Sequence, residues 1–371
     1  MNVYINQITG NSKVKSILNK ILESKNIPQA LLFIGADGVG KENAALNFIK
    51  ALNYQVPSDN PEKRIDIISK FSEPYVKYIF PLPRGKNETE HNDPYEKLSE
   101  NELDLILQEV EKKSLNNFYQ MSIPKANTIK INSIRDIKKF LSMNYEDIEF
   151  RSIIISQAHL MNEEAQNSLL KSLEEPPKNV VFILTTSAPE KLKPTIISRC
   201  WIINFQPLNN EEVVEILVNN FDIEKEIAKK VAPFTSGSVS EAILLLENDF
   251  DKLLDKTIII LRNSFAGRFH SALSEFEEIL SDGDQIKIKL IIRLFITWIN
   301  DFQKYRINRL DKIYYNDYLE TLEKFNSKYP EIDVSKVIYE LDNISTYLKN
   351  NLNLNIAVNN IVFQLYSLVP R

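Results

Sequence analysis

Cysteine is nearly missing: Cys200 stands alone in 371 residues. Intrachain disulfides and cysteine-based zinc modules are thereby excluded, and the reducing cytoplasm is the expected home. Glycine is scarce too, at 8 residues, while Leu, Ile, Lys, Glu and Asn are plentiful, so a mostly helical chain is expected. No apolar run is long enough to span a bilayer, and no charged-then-apolar leader opens the chain, so no membrane partner is expected. An excess of positive charge is also lacking. The net charge is −5, and any contact with DNA would come from a local patch or through a partner. Apolar residues at 43% and charged residues at 26% describe an ordinary globular protein, long enough for two or three domains.

The most informative stretch is Gly35-Ala36-Asp37-Gly38-Val39-Gly40-Lys41-Glu42. A phosphate-binding loop has two glycines flanking four residues, then Lys, then Ser or Thr. Gly35, Gly40 and Lys41 fit this pattern as nucleotide-binding residues, but position 42 is Glu where a hydroxyl should hold Mg²⁺. A carboxylate there places negative charge against the phosphates and removes the usual metal ligand. The flanks fit the motif. Ala30 to Ile34 is an apolar run suited to a buried parallel strand, and Asn43 to Asn53 has the spacing of an amphipathic helix. The expectation is a retained cradle that is empty or weakly occupied, with no cofactor and no metal.

Further along, Ser72 to Phe80 reads as a strand, and Pro81 to Pro94 as exposed and mobile. Glu96 to Lys113 reads as a charged helix with Leu98, Leu103, Ile106, Leu107 and Val110 inward and its charges on a solvated face. Roughly 83–126 is an insertion, because so long an excursion breaks the strand–helix beat. Arg84 and Lys86 within it read as loop residues. Regularity returns with a short strand at Thr128 to Ile131, a helix capped by Asn132 or Ser133, and a strand at Arg151 to Ile155. A helix over Met161 to Leu173, stopped by Glu174-Glu175-Pro176-Pro177, and a strand over Val180 to Thr186 follow. Pro194 to Arg199 is a short helix leading into an apolar run from Cys200 to Phe205. Strands alternating with helices argue for an α/β parallel sheet covered on both faces. After Pro207 only helices are expected. These include one at Ser271 to Leu280, a long one at Ile286 to Arg306 carrying Trp298, and others at Val334 to Lys349 and Asn355 to Leu368.

In an ATPase with such a loop, the strand ending at Ile155 should close with Asp-Glu, to orient Mg²⁺ and polarise water. This chain has Ser156 and Gln157, which do neither. Thr185 or Thr186 stands where a polar γ-phosphate sensor would sit. His159 has no second metal ligand at useful spacing and reads as structural. Ser198-Arg199-Cys200 is the remaining candidate: an Arg on a short helix at a domain edge can reach a neighbour's ATP site, whereas an arbitrary surface Arg is a salt-bridge partner.

Taken together, Ala30 to Lys41, Arg151 to Ile155, Asn162 to Pro177 and Ile197 to Cys200 resemble the bacterial clamp-loader AAA+ family of DNA polymerase III, most closely its delta-prime members. The resemblance covers about residues 1–55 and 127–250, and the C-terminal bundle more loosely. It implies an AAA+ core over 1–206 carrying the 83–126 insertion, a helical lid over 207–250 and a helical collar over 251–371. It further implies a cytoplasmic heteropentamer with gamma/tau and delta subunits, acting on a sliding clamp and primer–template DNA, in which Arg199 serves in trans as the catalytic arginine finger of a neighbour. Ser240, after Gly237-Ser238-Val239, occupies the place of an ATP-contacting lid Arg in the ATPase members. The alternative is an active ATPase subunit of the gamma/tau type.

Overall fold

A computed structural model describes residues 2–54, 56, 60–143, 148, 150–175, 177–348 and 353–369. Pro176 and Lys349, placed above at helix ends, lie outside the described residues. The chain divides into two compact units: residues 1–232 with 236–241, and residues 233–235 with 242–371.

The first unit is built on five strands: β1 (Ala30–Ile34), β2 (Val76–Ile79), β3 (Arg151–Ile155), β4 (Val180–Thr186) and β5 (Trp201–Asn204). Their order is β2-β3-β4-β1-β5, and every neighbouring pair is parallel. Alternate residues face opposite sides, and along β1 to β4 both sides are largely buried, whereas the edge strand β5 leaves Trp201, Ile202 and Asn204 exposed. On one face Leu31, Phe33, Ile154, Val181 and Ile183 pack with Leu18 and Leu22 of the Ser12–Ser24 helix and with Phe48 and Ile49 of the Lys41–Tyr54 helix. On the other, Leu32, Ile153, Ile155, Phe182 and Leu184 pack with Ile134 and Ile137 of the Ile131–Ser142 helix and with Leu169 of the Glu163–Glu174 helix. This is the expected α/β core, a parallel sheet with helices on both faces.

Several local expectations are corrected. Thr128 to Ile131 is no strand. Ile129 makes one isolated parallel bridge to Met161, and the helix already begins at Ile131. Asn132 and Ser133 are therefore buried inside its first turn, and the N-cap is Lys130, without a side-chain bond. A helix at Pro61–Ser69, capped by Asn60, was not anticipated. The insertion's helix runs Glu100–Leu115, starting later than expected because Ser99 and Glu102 close a capping box. Leu107 points outward at 67% exposure, whereas Glu109 and Lys113 are buried, so the charged face is not wholly solvated. Pro81 to Pro94 is not wholly exposed either. Glu88 is buried, 2.8 Å from Lys130 Nζ, and accepts from Asn132 Nδ2 at 2.9 Å. Arg84 and Lys86 are exposed.

The second unit is helical. Phe250–Phe265, Gln285–Arg306, Leu319–Lys328, Ser335–Leu348 and Leu354–Ser367 are its longer helices. Trp298, Phe302 and Phe325 form a buried aromatic group within it, with ring centroids 5.1 to 6.3 Å apart. The single helix expected over Ser271 to Leu280 is two, Phe269–Ser274 and Glu277–Asp282. Asn353 caps the last helix, accepting from the backbone N–H groups of Asn355 and Ile356. Among the described residues no helix is long and apolar enough to cross a membrane.

Candidate functional site

All five strands run the same way, so the loop after β1 leaves the C-terminal edge of the sheet, the edge where α/β folds bind ligands. Gly35 is fixed there by its N–H, which donates to Thr186 O at 3.1 Å. Gly38 and Gly40 have φ of +76° and +89°, which turns the backbone into the Lys41–Tyr54 helix. The three loop residues singled out in the sequence therefore lie on one turn.

The Lys41 ammonium does not point into open space. It donates to Gly35 O and Ala36 O at 2.6 Å each, and Asp37 Oδ1 is 3.7 Å away. Burial holds the Lys41 pKa below its ordinary value, an effect that Asp37 and Glu42 only partly offset.

Glu42, on the Lys41–Tyr54 helix, is the centre of a mostly buried polar cluster drawn from β2, the end of β3 and the Glu100–Leu115 helix. Lys113 Nζ lies 2.6 Å from Glu42 Oε2, with side-chain exposures of 6% for the lysine and 17% for the glutamate. The Ser156 hydroxyl, at the end of β3, donates to Oε1, and Tyr78 OH, from β2, donates to Oε2 at 3.3 Å. Burial alone would raise the Glu42 pKa. The Lys113 ammonium, the Ser156 hydroxyl and Lys41 together overcome that and hold it below the usual carboxylate value. The same burial, with Glu42 beside it, pushes the Tyr78 phenol well up. A Mg²⁺–phosphate does not fit at position 42: the carboxylate that stands where the motif has a hydroxyl is already taken by three protein donors.

The neighbouring polar groups are also engaged with one another. Gln157, at φ 51°, donates its backbone N–H to Thr185 Oγ1 at 3.2 Å. Thr186 Oγ1 sits 3.1 Å from His159 Nδ1, and burial lowers the histidine's pKa. His159 is thus a structural partner of β4. Among the described residues no group of three or more His, Cys, Asp or Glu is placed to hold a metal ion.

Sequence reasoning missed Lys113, Tyr78 and Phe118. A Cβ built on Gly40 would stand 3.2 Å from Phe118 Cε1, so that ring lies against the loop. On the other flank, a Cβ on Gly38 would meet Ser238 Oγ at 2.6 Å and Ser240 Oγ at 2.7 Å, and Val239 N donates to Gly38 O at 3.2 Å. Ser240 therefore touches the loop directly. The insertion's own sequence carries no local signal of these long-range contacts.

Arg199 lies elsewhere. The register pairs Leu31 with Trp201, which puts Arg199 and Cys200 beside the start of β1, at the opposite edge of the sheet. Arg199 Nη2 donates to Glu174 Oε1 at 2.8 Å and Nη1 to Thr195 O at 2.9 Å, with the side chain 35% exposed. A cleft of about 360 Å³ adjoins it, lined by Gln29, Leu173, Ser198 and Trp201 among others. Trp201 is 57% exposed. Cys200 is half-buried, and burial pushes its thiol up to about 12, so it is an inert neighbour rather than a nucleophile. The structure keeps the loop group and Arg199 apart.

Residues 10–209 match the family described as DNA polymerase III, delta subunit. A gamma subunit of DNA polymerase III from Buchnera aphidicola subsp. Schizaphis graminum is 33% identical over 166 residues, 43% of this chain and 44% of the relative. The tau subunit from Bacillus subtilis is 25% identical over 246 residues, 65% of this chain and 36% of the relative, so the chain spans less than half the length of both. The delta' subunit from Bacillus subtilis is 27% identical over 246 residues, 65% of this chain and 74% of the relative. With more than half of its length matched, the chain belongs to the DNA polymerase III delta-subunit family, the bacterial clamp-loader family that its sequence resembles.

Proposed function

We propose that this chain is a non-hydrolysing clamp-loader subunit of the delta-prime type, whose Arg199 acts in trans on the ATP site of a neighbouring subunit. The observation that carries the reading is Glu42, buried and neutralised by Lys113 where the loop motif wants a hydroxyl. With Ser156 and Gln157 in place of the acidic pair, the end of β3 offers no carboxylate to orient Mg²⁺ or activate water. Arg199 has the properties the other half of the reading needs. Its partner Glu174 is half-exposed, and an exposed ion pair is worth only about 0–1 kcal/mol, so a neighbour's phosphate can take the guanidinium over. Residues 207–250 then act as the lid and 251–371 as the collar that joins a cytoplasmic heteropentamer with gamma/tau and delta subunits. The complex loads a sliding clamp on primer–template DNA during replication.

The test is DNA- and clamp-stimulated ATPase of the reconstituted loader with wild-type chain or Arg199→Ala. With assembly intact, turnover falls about ten-fold or more, a loss of roughly 1.4 kcal/mol of transition-state stabilisation. Unchanged turnover would reduce Arg199 to a surface ion pair.

Relatives named gamma and tau favour a second reading, an active ATPase of that type. It requires turnover by the isolated chain. Hydrolysis that is abolished by Lys41→Ala would establish it, and none above background is expected.

A further inference from the structure

The insertion reaches the loop at three points. Lys113 satisfies its ammonium with Glu42 Oε2 at 2.6 Å and with the Asn117 and Tyr119 carbonyls at 2.7 Å each. Asn117 Nδ2 lies 3.5 Å from Asn43 Oδ1 on the loop's own helix. Phe118, itself buried, covers the Gly40 backbone.

The turn that presents these groups is built to hold its shape. Buried Glu109 accepts from Tyr119 OH at 2.9 Å and from Ser122 N at 2.7 Å, and pairs with Lys112 at 2.8 Å. Asn116 Oδ1 accepts from Phe118 N at 3.0 Å, while its Nδ2 donates to Asn220 O at 2.7 Å, tying the turn to the Asn210–Phe221 helix. Lys41, bonded inward to Gly35 and Ala36, completes the closure.

We infer that the segment from Glu100 to Tyr119 is a built-in occupant of the Gly35–Glu42 cradle, with Lys113 on Glu42 and Phe118 on Gly40, and that it excludes Mg²⁺–nucleotide. The inference deepens the non-hydrolysing reading and rests on this loop being a phosphate-type cradle; it does not depend on Arg199. The chemistry is a substitution. A nucleotide site brings a metal cation and a polyphosphate to a neutral hydroxyl. Here the chain brings its own ammonium to a carboxylate, and the charges balance with no ligand. A polyphosphate entering this site would displace Lys113 and meet the bare Glu42 carboxylate.

Two measurements on the isolated full-length chain test it. The first is thermal unfolding of wild type, Glu42→Gln, Lys113→Met and the double variant. Lys113→Met is expected to lower Tm by about 5 °C or more, and the double variant to recover most of the loss. If Lys113→Met fails to fold, the double variant against Glu42→Gln still reads the coupling. Additive losses, or none, would overturn the lock. The second is titration of wild type with Mg²⁺–ATP, read by thermal shift and by amide exchange over residues 110–120. The expected result is no shift and no change in protection. A thermal shift that vanishes in Lys41→Ala would show an open cradle and overturn the inference. Either failure leaves the loader-turnover test of Arg199 untouched, and an inert Arg199 leaves the lock standing.

Discussion

The two edges of one sheet treat their cations in opposite ways. At the C-terminal edge Lys41 and Lys113 are buried, each with its ammonium bonded to oxygens of the same chain. At the N-terminal edge Arg199 is partly exposed beside an open cleft, and its one carboxylate partner is half in water. Buried pairs of this kind resist separation, because removing one partner strands a charge in a poorly solvated site. Solvated pairs separate at little cost. The difference teaches where the chain holds its charges tightly: the loop's cations are bonded inside the protein, whereas the Arg199–Glu174 pair is solvated.

Removing the loop's cation is the sharpest way to break that contrast. Lys113→Met strands Glu42 and is expected to lose about 3–5 kcal/mol of stability, measured by denaturant unfolding. The pH dependence reports the cause. In wild type the folded Glu42 pKa is depressed, so the pair's contribution is present above the unfolded value of about 4.3 and is lost as pH falls through the folded value. In Lys113→Met burial remains without its counter-charge, the folded pKa rises, and protonation relieves the strain. The deficit relative to wild type should therefore be largest near neutrality and shrink as pH falls through the raised value. A deficit that is constant with pH would assign the effect to lost packing.

A smaller effect separates the ring contact from the backbone. Gly40→Ala must hold a Cβ at φ +89° and 3.2 Å from Phe118 Cε1, and should lose about 1–3 kcal/mol. Gly283, at φ +65° with nothing within 4 Å of a built Cβ, is the control for backbone strain alone. Equal losses at the two glycines would mean that Phe118 does not press on the loop. At the other edge Glu174→Gln should change stability by less than about 1 kcal/mol, because its pair with Arg199 is solvated. A larger loss would make Arg199 as fixed as Lys41 and erase the comparison.

The parts of this contrast were not equally legible in the sequence. β1 is a continuous apolar run, and β3 and β4 each hold one, Ile153 to Ile155 and Val180 to Leu184, because both faces of their sheet are buried; the structure places the strands where these runs lie. The spoiled position at Glu42 was visible because a motif fixes what should stand there. Its partner was not. Lys113 sits in a stretch of alternating charge, where periodicity favours a solvated face, and contacts beyond its helix, with Glu42 and with the Asn117 and Tyr119 carbonyls, bury it. Leu107 failed for the matching reason: its spacing suits an inward position, but the helix turns that side to solvent. Thr128 to Ile131 has strand-like residues, yet Ile129 finds only Met161 to bridge, and the helix takes over at Ile131. The break at Glu275 and Phe276 carries neither Gly nor Pro, so nothing local announced it.

The most direct measurement sets the two edges against each other in one assay: ATPase turnover of the reconstituted loader carrying Lys41→Met or Arg199→Ala in this chain, with assembly checked for both. The account predicts wild-type turnover for Lys41→Met and a loss of about ten-fold or more for Arg199→Ala. The reverse pattern, with Lys41→Met slowing the loader and Arg199→Ala leaving it unchanged, would contradict the account at both edges.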